Sequence, residues 1–331
     1  MITETDEWPT YNELRTGGAP PGTAWGVFGH ADQLGTLNFV TNTMRAEATR
    51  LVRRGAVFSL DHPIGAFDPY PSGTRPPTRH EIFSTNPNHR DDWLDSFYLQ
   101  STSQIDGLRH IRHPRHGFYG GTPDDRVKVG TPDLGIQVWA DHGIVGRGVL
   151  LDMVRHFEFI GDPINYQQPR YIDQSDLDDC AQRQGVQIKP GDMVLLHTGW
   201  ASWYLEQRAK ENVVRGFSVG LNQSHGVAGW LWDHRIALAA ADNVALEAWP
   251  TSADSDFWDA DEPAPESGAN HNGMLHRTLI AGFGLAVGEM WSLRRLADDC
   301  AEDGQYEFLL VAKPLAVVGG VGSPPNAVAI K

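Results

Sequence analysis

Cysteine is scarce, with only Cys180 and Cys300 in 331 residues. They stand far apart, each beside acidic, helix-like sequence, so neither a disulfide framework nor a thiolate metal site is indicated. Positive charge is also in deficit: 27 Lys and Arg against 42 Asp and Glu give a net charge of -15. That balance disfavours the phosphate-backbone attraction on which nucleic-acid binding rests. No stretch approaches the ~20 consecutive apolar residues that cross a bilayer, so no membrane partner is expected. The start, Met1 to Trp8, lacks the basic region and apolar run of a secretory signal, and a cytoplasmic location is expected. No internal repeat, Walker loop or Rossmann fingerprint occurs. What remains is the composition of a folded protein, 40% hydrophobic and 21% charged with 11 Trp and 13 Phe.

The order of patterns signals an α/β chain, taken as one domain over 1–331. Residues 1–24, rich in Gly, Pro and Thr, read as an irregular N-terminal arm anchored by Trp8 and Trp25. A helix is expected over 41–55, with Thr41 or Asn42 as N-cap and Gly55 as C-terminal stop, then a strand over 56–60. Residues 61–95 read as a long loop, serving as a lid, an intersubunit arm or a solvated insertion. Strands are expected at 96–99, 146–152, 192–199, 236–243, 285–289 and 306–312. Helices are expected at 173–185 and 224–234, as a short one opened by His276, and from Arg294. Residues 251–270 read as a surface loop.

Chemistry concentrates in Gln100-Ser-Thr-Ser-Gln-Ile-Asp-Gly-Leu-Arg-His110. Asp106 and His110 lie four apart, so a helical turn after Asp106 would project both from one face, where the pair could hold a metal or move a proton. A second informative stretch runs from His276 to Glu289, whose carboxylate closes an apolar strand and is costly to bury without a cation or donor. His197 ends an apolar run, facing a pocket or sitting as a satisfied buried imidazole. Asp242 and Glu247 follow a buried strand at the end where α/β proteins place ligands. His113 and His116 have loop-like spacing around Pro114 and are read as loop residues, not metal ligands.

Together with Trp25-Gly, Gly35-Thr-Leu-Asn38, Gly146-Arg-Gly-Val-Leu-Leu-Asp152 and Gly191-Asp-Met-Val-Leu-Leu-His-Thr-Gly199, these stretches resemble the cyclase-like metal hydrolase family that includes bacterial kynurenine formamidase and isatin hydrolase. The resemblance spans nearly the whole chain and looks most like the family's longer bacterial branch. The family motif is His-x-Gly-Thr-His-x-Asp-x-x-x-His. Here Gln100 and Gln104 stand where its first two histidines would be, Asp106 at the bridging aspartate and His110 at the acid/base histidine. His276 and Glu289 match the later ligand pair.

The resemblance implies a swivelling β/β/α domain, a mixed sheet surrounded by helices, assembled as a homodimer or homotetramer around a small-molecule substrate. It implies one divalent ion, Mn or Zn, at Asp106, His276 and Glu289, with Gln100 or Gln104 as an amide-oxygen donor weaker than the imidazole it replaces. Catalysis would fall to His110, Asp106 and Glu289. Substrate contacts are expected from Trp25, Gln100, Gln104, Phe118, Tyr119, His197 and Asp242, and the aromatics Trp8 and Trp200 add to the expectation of a cyclic or aromatic carbonyl compound. With a metal, the site suits hydrolysis of an amide or lactone. Without one, it is an acid/base cluster with amide donors, suited to a lyase or cyclase. A non-catalytic ligand-binding homologue is the third reading.

Overall fold

The strands are β1 (Val57–Ser59), β2 (Arg79–Phe83), β3 (Asp91–Asp95), β4 (Gln104–Asp106), β5 (Ile144–Asp152), β6 (Arg170–Ile172) and β7 (Met193–His197). They continue with β8 (Val219–Leu221), β9 (Leu238–Ala241), β10 (Ala286–Glu289), β11 (Glu307–Ala312), β12 (Gly322–Ser323) and β13 (Val328–Ile330). This computed structural model describes residues 8–210, 217–264 and 270–331. Residues 1–7 of the expected arm, and 265–269 of the expected 251–270 loop, lie outside the described residues.

Nine strands form one mixed sheet in the order β1-β13-β11-β5-β7-β9-β10-β4-β12. Its centre, β5-β7-β9-β10, is parallel, and antiparallel strands flank it on both sides. Both faces of the central strands are covered, which is why they read as continuous apolar runs. Val149, Leu151, Val194, Leu196, Ala239 and Val287 enter one core. Their neighbours Leu150, Met193, Leu195, Leu238, Ala240 and Ala286 enter the other. Helices surround this sheet, as the α/β reading with a mixed sheet requires.

Caps set the helix starts where the sequence places them. Thr41, Ser224 and Asp173 precede helices Asn42–Ala48, His225–Asp233 and Gln174–Gln184, and Gly185 ends the last in a left-handed conformation. Several expectations are corrected. The 41–55 helix stops at Ala48, followed by a 3-10 turn Thr49–Leu51, because the chain must bring Arg54 and Ala56 to donate to Lys331 O at 3.1 Å each beside β13. The arm contains a helix, Tyr11–Gly17, closed by a Thr10–Glu13 capping box. Loop 61–95 contains the β2–β3 hairpin, whose residues are nearly all exposed.

No strand forms at 96–99: Ser96 adopts φ 57° and Tyr98 O accepts from Ser101 N, so the chain turns there and the strand begins at Gln104. Nor does a helix follow Asp106. Gly107 N donates to Val321 O at 2.9 Å, and Arg109 spends its guanidinium on the carbonyls of Thr131, Asp133 and Gly319. Those tertiary bonds hold residues 107–110 in a single turn, closed by His110 N to Gly107 O at 2.9 Å.

Candidate active site

The site is made by one strand pairing. In the β4–β10 register Gln104 faces Glu289 and Asp106 faces Val287. Side chains two apart share a face, so Gln104, Asp106 and Glu289 project together on the Val287 side, while Ile105 enters the opposite core. The position is the carboxyl edge of β10, where open α/β sheets place ligands.

His276 arrives from the element before β10. It caps the π-type helix Arg277–Phe283, which ends at Gly284 in a left-handed turn. The Gly35-Thr-Leu-Asn38 segment secures that turn. Thr36 N donates to Gly284 O at 3.0 Å, and a Cβ on Gly35 (φ +61°) would sit 1.9 Å from the same oxygen. Only glycine fits there.

Ligand-type atoms of Asp106, His276 and Glu289 lie within 4.8 Å of one another, all three residues being buried. His276 Nε2 is 3.0 Å from Glu289 Oε1. Its Nδ1 is 2.5 Å from Glu247 Oε1, and Glu247 also accepts from Leu275 N (2.8 Å) and His276 N (3.1 Å). This carboxylate–imidazole pairing fixes the ring and aims Nε2 at the centre, as in metal sites. Gln104 Nε2 donates to Glu289 Oε2 at 2.6 Å, and Gln100 Nε2 contacts Asp106 Oδ1 at 2.7 Å and His110 Nδ1 at 2.8 Å.

Burial shapes the proton chemistry. It opposes charge on His276, but the hydrogen bonds to Glu247 and Glu289 outweigh it and hold this imidazole protonated well above its usual range. Burial, reinforced by the Asp106 charge, raises the Glu289 carboxyl. Burial also lowers His110, with His276 and Arg75 adding to the effect against the pull of Asp106, and leaves it a neutral base at pH 7. About a fifth of the His110 side chain is accessible, and its Nε2 is 3.7 Å from Asp106 Oδ2.

Two buried oxygens at this centre, Asp106 Oδ2 and Gln104 Oε1, have no hydrogen-bond partner. Unpaired acceptors beside two carboxylates are costly unless a cation meets them. Two carboxylates, an amide oxygen and one imidazole, once a cation displaces the proton on His276 Nε2, therefore fit a divalent ion.

A cavity of about 520 Å³ opens over the centre. Gln104, His110, His276 and Glu289 form its polar floor, and Trp200, Tyr204, Phe217 and Trp249 an aromatic wall. Tyr70 and Arg75, from the 61–95 segment, and His271 add to its lining.

Of the residues expected to contact substrate, Gln104 and the aromatic Trp200 line this cavity, and Gln100 lies behind it against Asp106. Trp25, Phe118, Tyr119, His197 and Asp242 are placed elsewhere. Trp25 Nε1 donates to Ala281 O at 2.7 Å, and Tyr119 is buried with its hydroxyl on Asp32 at 2.8 Å. Phe118 packs on the second core. His197 is 2.9 Å from Asp152, and Asp242 is taken up by Thr198 and Gly199 N–H groups. Trp8 packs on Phe28 and Phe39. His113 and His116 stack at 4.4 Å on their loop. The convergence of Tyr70, Arg75, Phe217, Trp249 and His271 depends on loop placement, hinted at only by the length of the 61–95 segment, whereas Tyr204 follows Trp200 by one turn of the helix Trp200–Ala209. Among the described residues no helix is long and apolar enough to cross a membrane.

A family model described as "Putative cyclase" matches residues 4–248. The crystal structure of a novel cyclase is similar at TM-score 0.75 and 29% identity, covering 93% of this chain and 99% of that one. Isatin hydrolase A from Ralstonia solanacearum is similar at TM-score 0.56 and 16% identity (88% and 98% covered). Isatin hydrolase A from Labrenzia aggregata, bound to benzyl benzoate, is similar at TM-score 0.53 and 16% identity (85% and 94% covered). At 16% identity these two likenesses concern the fold alone. No curated protein matches the sequence.

Proposed function

The chain belongs to the cyclase family, and on that premise we propose that it hydrolyses an amide or lactone bond in a small cyclic or aromatic carbonyl compound. The observation that carries this reading is the convergence of Asp106, His276 and Glu289 with the two unpaired oxygens of Asp106 and Gln104. Asp106, His276 and Glu289, helped by Gln104 Oε1, would hold a divalent ion, Mn or Zn. Such an ion supplies Lewis-acid polarisation of the scissile carbonyl and acidifies water.

The chain's own residues do the rest. Trp200, Tyr204, Phe217 and Trp249 bury the ring of the substrate and exclude water from its faces. His110, kept neutral by burial, takes the proton lost by the attacking water and returns it to the leaving nitrogen or oxygen. Asp106 stabilises the imidazolium that forms in between, and Gln100 holds both side chains in register.

Elemental analysis of the purified protein tests the reading. About one Mn or Zn per chain, lost together with lactone or amide turnover in Glu289→Gln, supports it; full turnover in excess chelator refutes it.

One observation favours a second reading. The amide nitrogens of Gln100 and Gln104 already donate to Asp106 and Glu289, an arrangement that can carry metal-free proton transfer in a lyase or cyclase. Chelator-insensitive dehydration or ring closure, abolished in His110→Gln, identifies that chemistry.

A further inference from the structure

Arg75 stands out among the residues around the cavity. It is the only Lys or Arg among the described residues lining it. Its guanidinium lies over the Tyr70 ring, 4.3 Å from the centroid, and donates to Gln100 O. Among the described residues it makes no ion pair with a carboxylate, unlike Arg54, Arg147, Arg155 or Arg277, each of which has an acidic partner. A guanidinium has five N–H donors in a planar fork, and the Gln100 carbonyl and the Tyr70 hydroxyl leave others available.

The only carboxylate among the described residues lining the cavity is Glu289, and Asp106 stands within 4.8 Å of it, so Arg75 supplies the lining's one fixed positive charge beside two acidic groups. Arg75 is close enough to influence both Glu289 and His110 electrostatically. A guanidinium without a carboxylate partner, held over an aromatic ring in the lining of an aromatic-walled pocket, has the chemistry of a carboxylate receptor. We propose that Arg75 is a specificity-determining residue that binds a carboxylate carried by the substrate, so that the enzyme acts on anionic cyclic esters or amides in preference to neutral ones. The aromatic wall would take the ring, Arg75 the carboxylate, and the floor the scissile carbonyl.

This inference rests on the assignment of the cavity as the reacting site but is tested without turnover, so its failure is separable from failure of the hydrolase reading. The probes are benzoate and its neutral isostere benzamide, titrated into the full-length protein by calorimetry in the presence of chelator, so that no metal ion can hold the carboxylate. The wild type is expected to bind benzoate at least about tenfold more tightly than benzamide at low salt. Arg75→Gln is expected to abolish that preference while leaving benzamide affinity unchanged, and Arg75→Lys to restore part of it. Equal affinity for the two probes in the wild type overturns the proposal. So does an equal loss of both in Arg75→Gln, which would make Arg75 a structural tether of its loop to Gln100.

Discussion

Replacing Glu247 with glutamine separates the hold on His276 from the ligands themselves. The Glu247 carboxylate accepts from Leu275 N, His276 N and His276 Nδ1, at 2.8, 3.1 and 2.5 Å. Glutamine keeps one oxygen but turns an N–H₂ toward one of these donors, leaving a buried donor unsatisfied at a cost of about 1–3 kcal/mol in stability. It also removes the negative charge that keeps the His276 ring basic and aligned. Losing such a partner typically costs about 10–100-fold in metal affinity or activity, or roughly 1.4–2.7 kcal/mol. The assay is a Mn²⁺ titration against a competing chelator, paired with kcat/KM on a lactone that the wild type hydrolyses and a thermal melt. Affinity and kcat/KM should fall together by that factor while the protein remains folded. Wild-type Mn²⁺ affinity in folded Glu247→Gln would refute the argument that Glu247 orients the imidazole; a fall in Tm alone would give Glu247 only a role in fixing the 275–276 backbone.

Gln104→His should tighten Zn²⁺ binding by about tenfold or more, since it puts an imidazole beside Asp106 and Glu289; unchanged affinity in competition titrations would mean that side chain 104 does not reach the ion. Gly35→Ala should destabilise the fold by about 2–5 kcal/mol, combining strain at φ +61° with a clash on Gly284 O, measured by urea unfolding. His62, half-buried and with an unpaired Nε2, is lowered by burial from 6.5 to about 4. Between those values the unfolded chain binds a proton that the folded one does not, so stability is full above pH 6.5 and falls as the pH drops toward 4, by up to about 3 kcal/mol. His62→Gln should flatten that limb of the stability–pH curve; an unchanged slope would place the acid sensitivity elsewhere.

The central strands were legible because burial on both faces writes itself as runs such as Val149 to Leu151 and Met193 to Leu196. The cap at Thr41 was legible because a side-chain oxygen before a helix does one local job, while Asp173 and Ser224, read as first residues of their helices, stand at the cap positions instead. Asp106 and His110 do come together, though through a tertiary turn and not the helix their spacing suggested. That turn depends on Val321 and on carbonyls from 131, 133 and 319, none of which a local pattern reveals. The β2–β3 hairpin was hidden because its exposed, charge-rich strands lack the alternation that a buried face imposes. Arg75, Phe217 and Trp249 became visible only once the loops were placed, whereas Trp200 and Tyr204 stand four apart on one helix, Trp200–Ala209, and share a face.

The β4–β10 pairing joins residues 185 positions apart, and that separation is also an interval of time. At about 5–20 residues per second, a ribosome that has delivered Gln104 needs roughly 10–40 s more to deliver Glu289. During that interval Asp106 has no β10 beside it and no His276 opposite. A chain interrupted before residue 286 would carry both glutamines and His110 yet lack the Asp106–His276–Glu289 cluster. Whatever this cluster does, it can begin only after the ribosome has delivered Glu289.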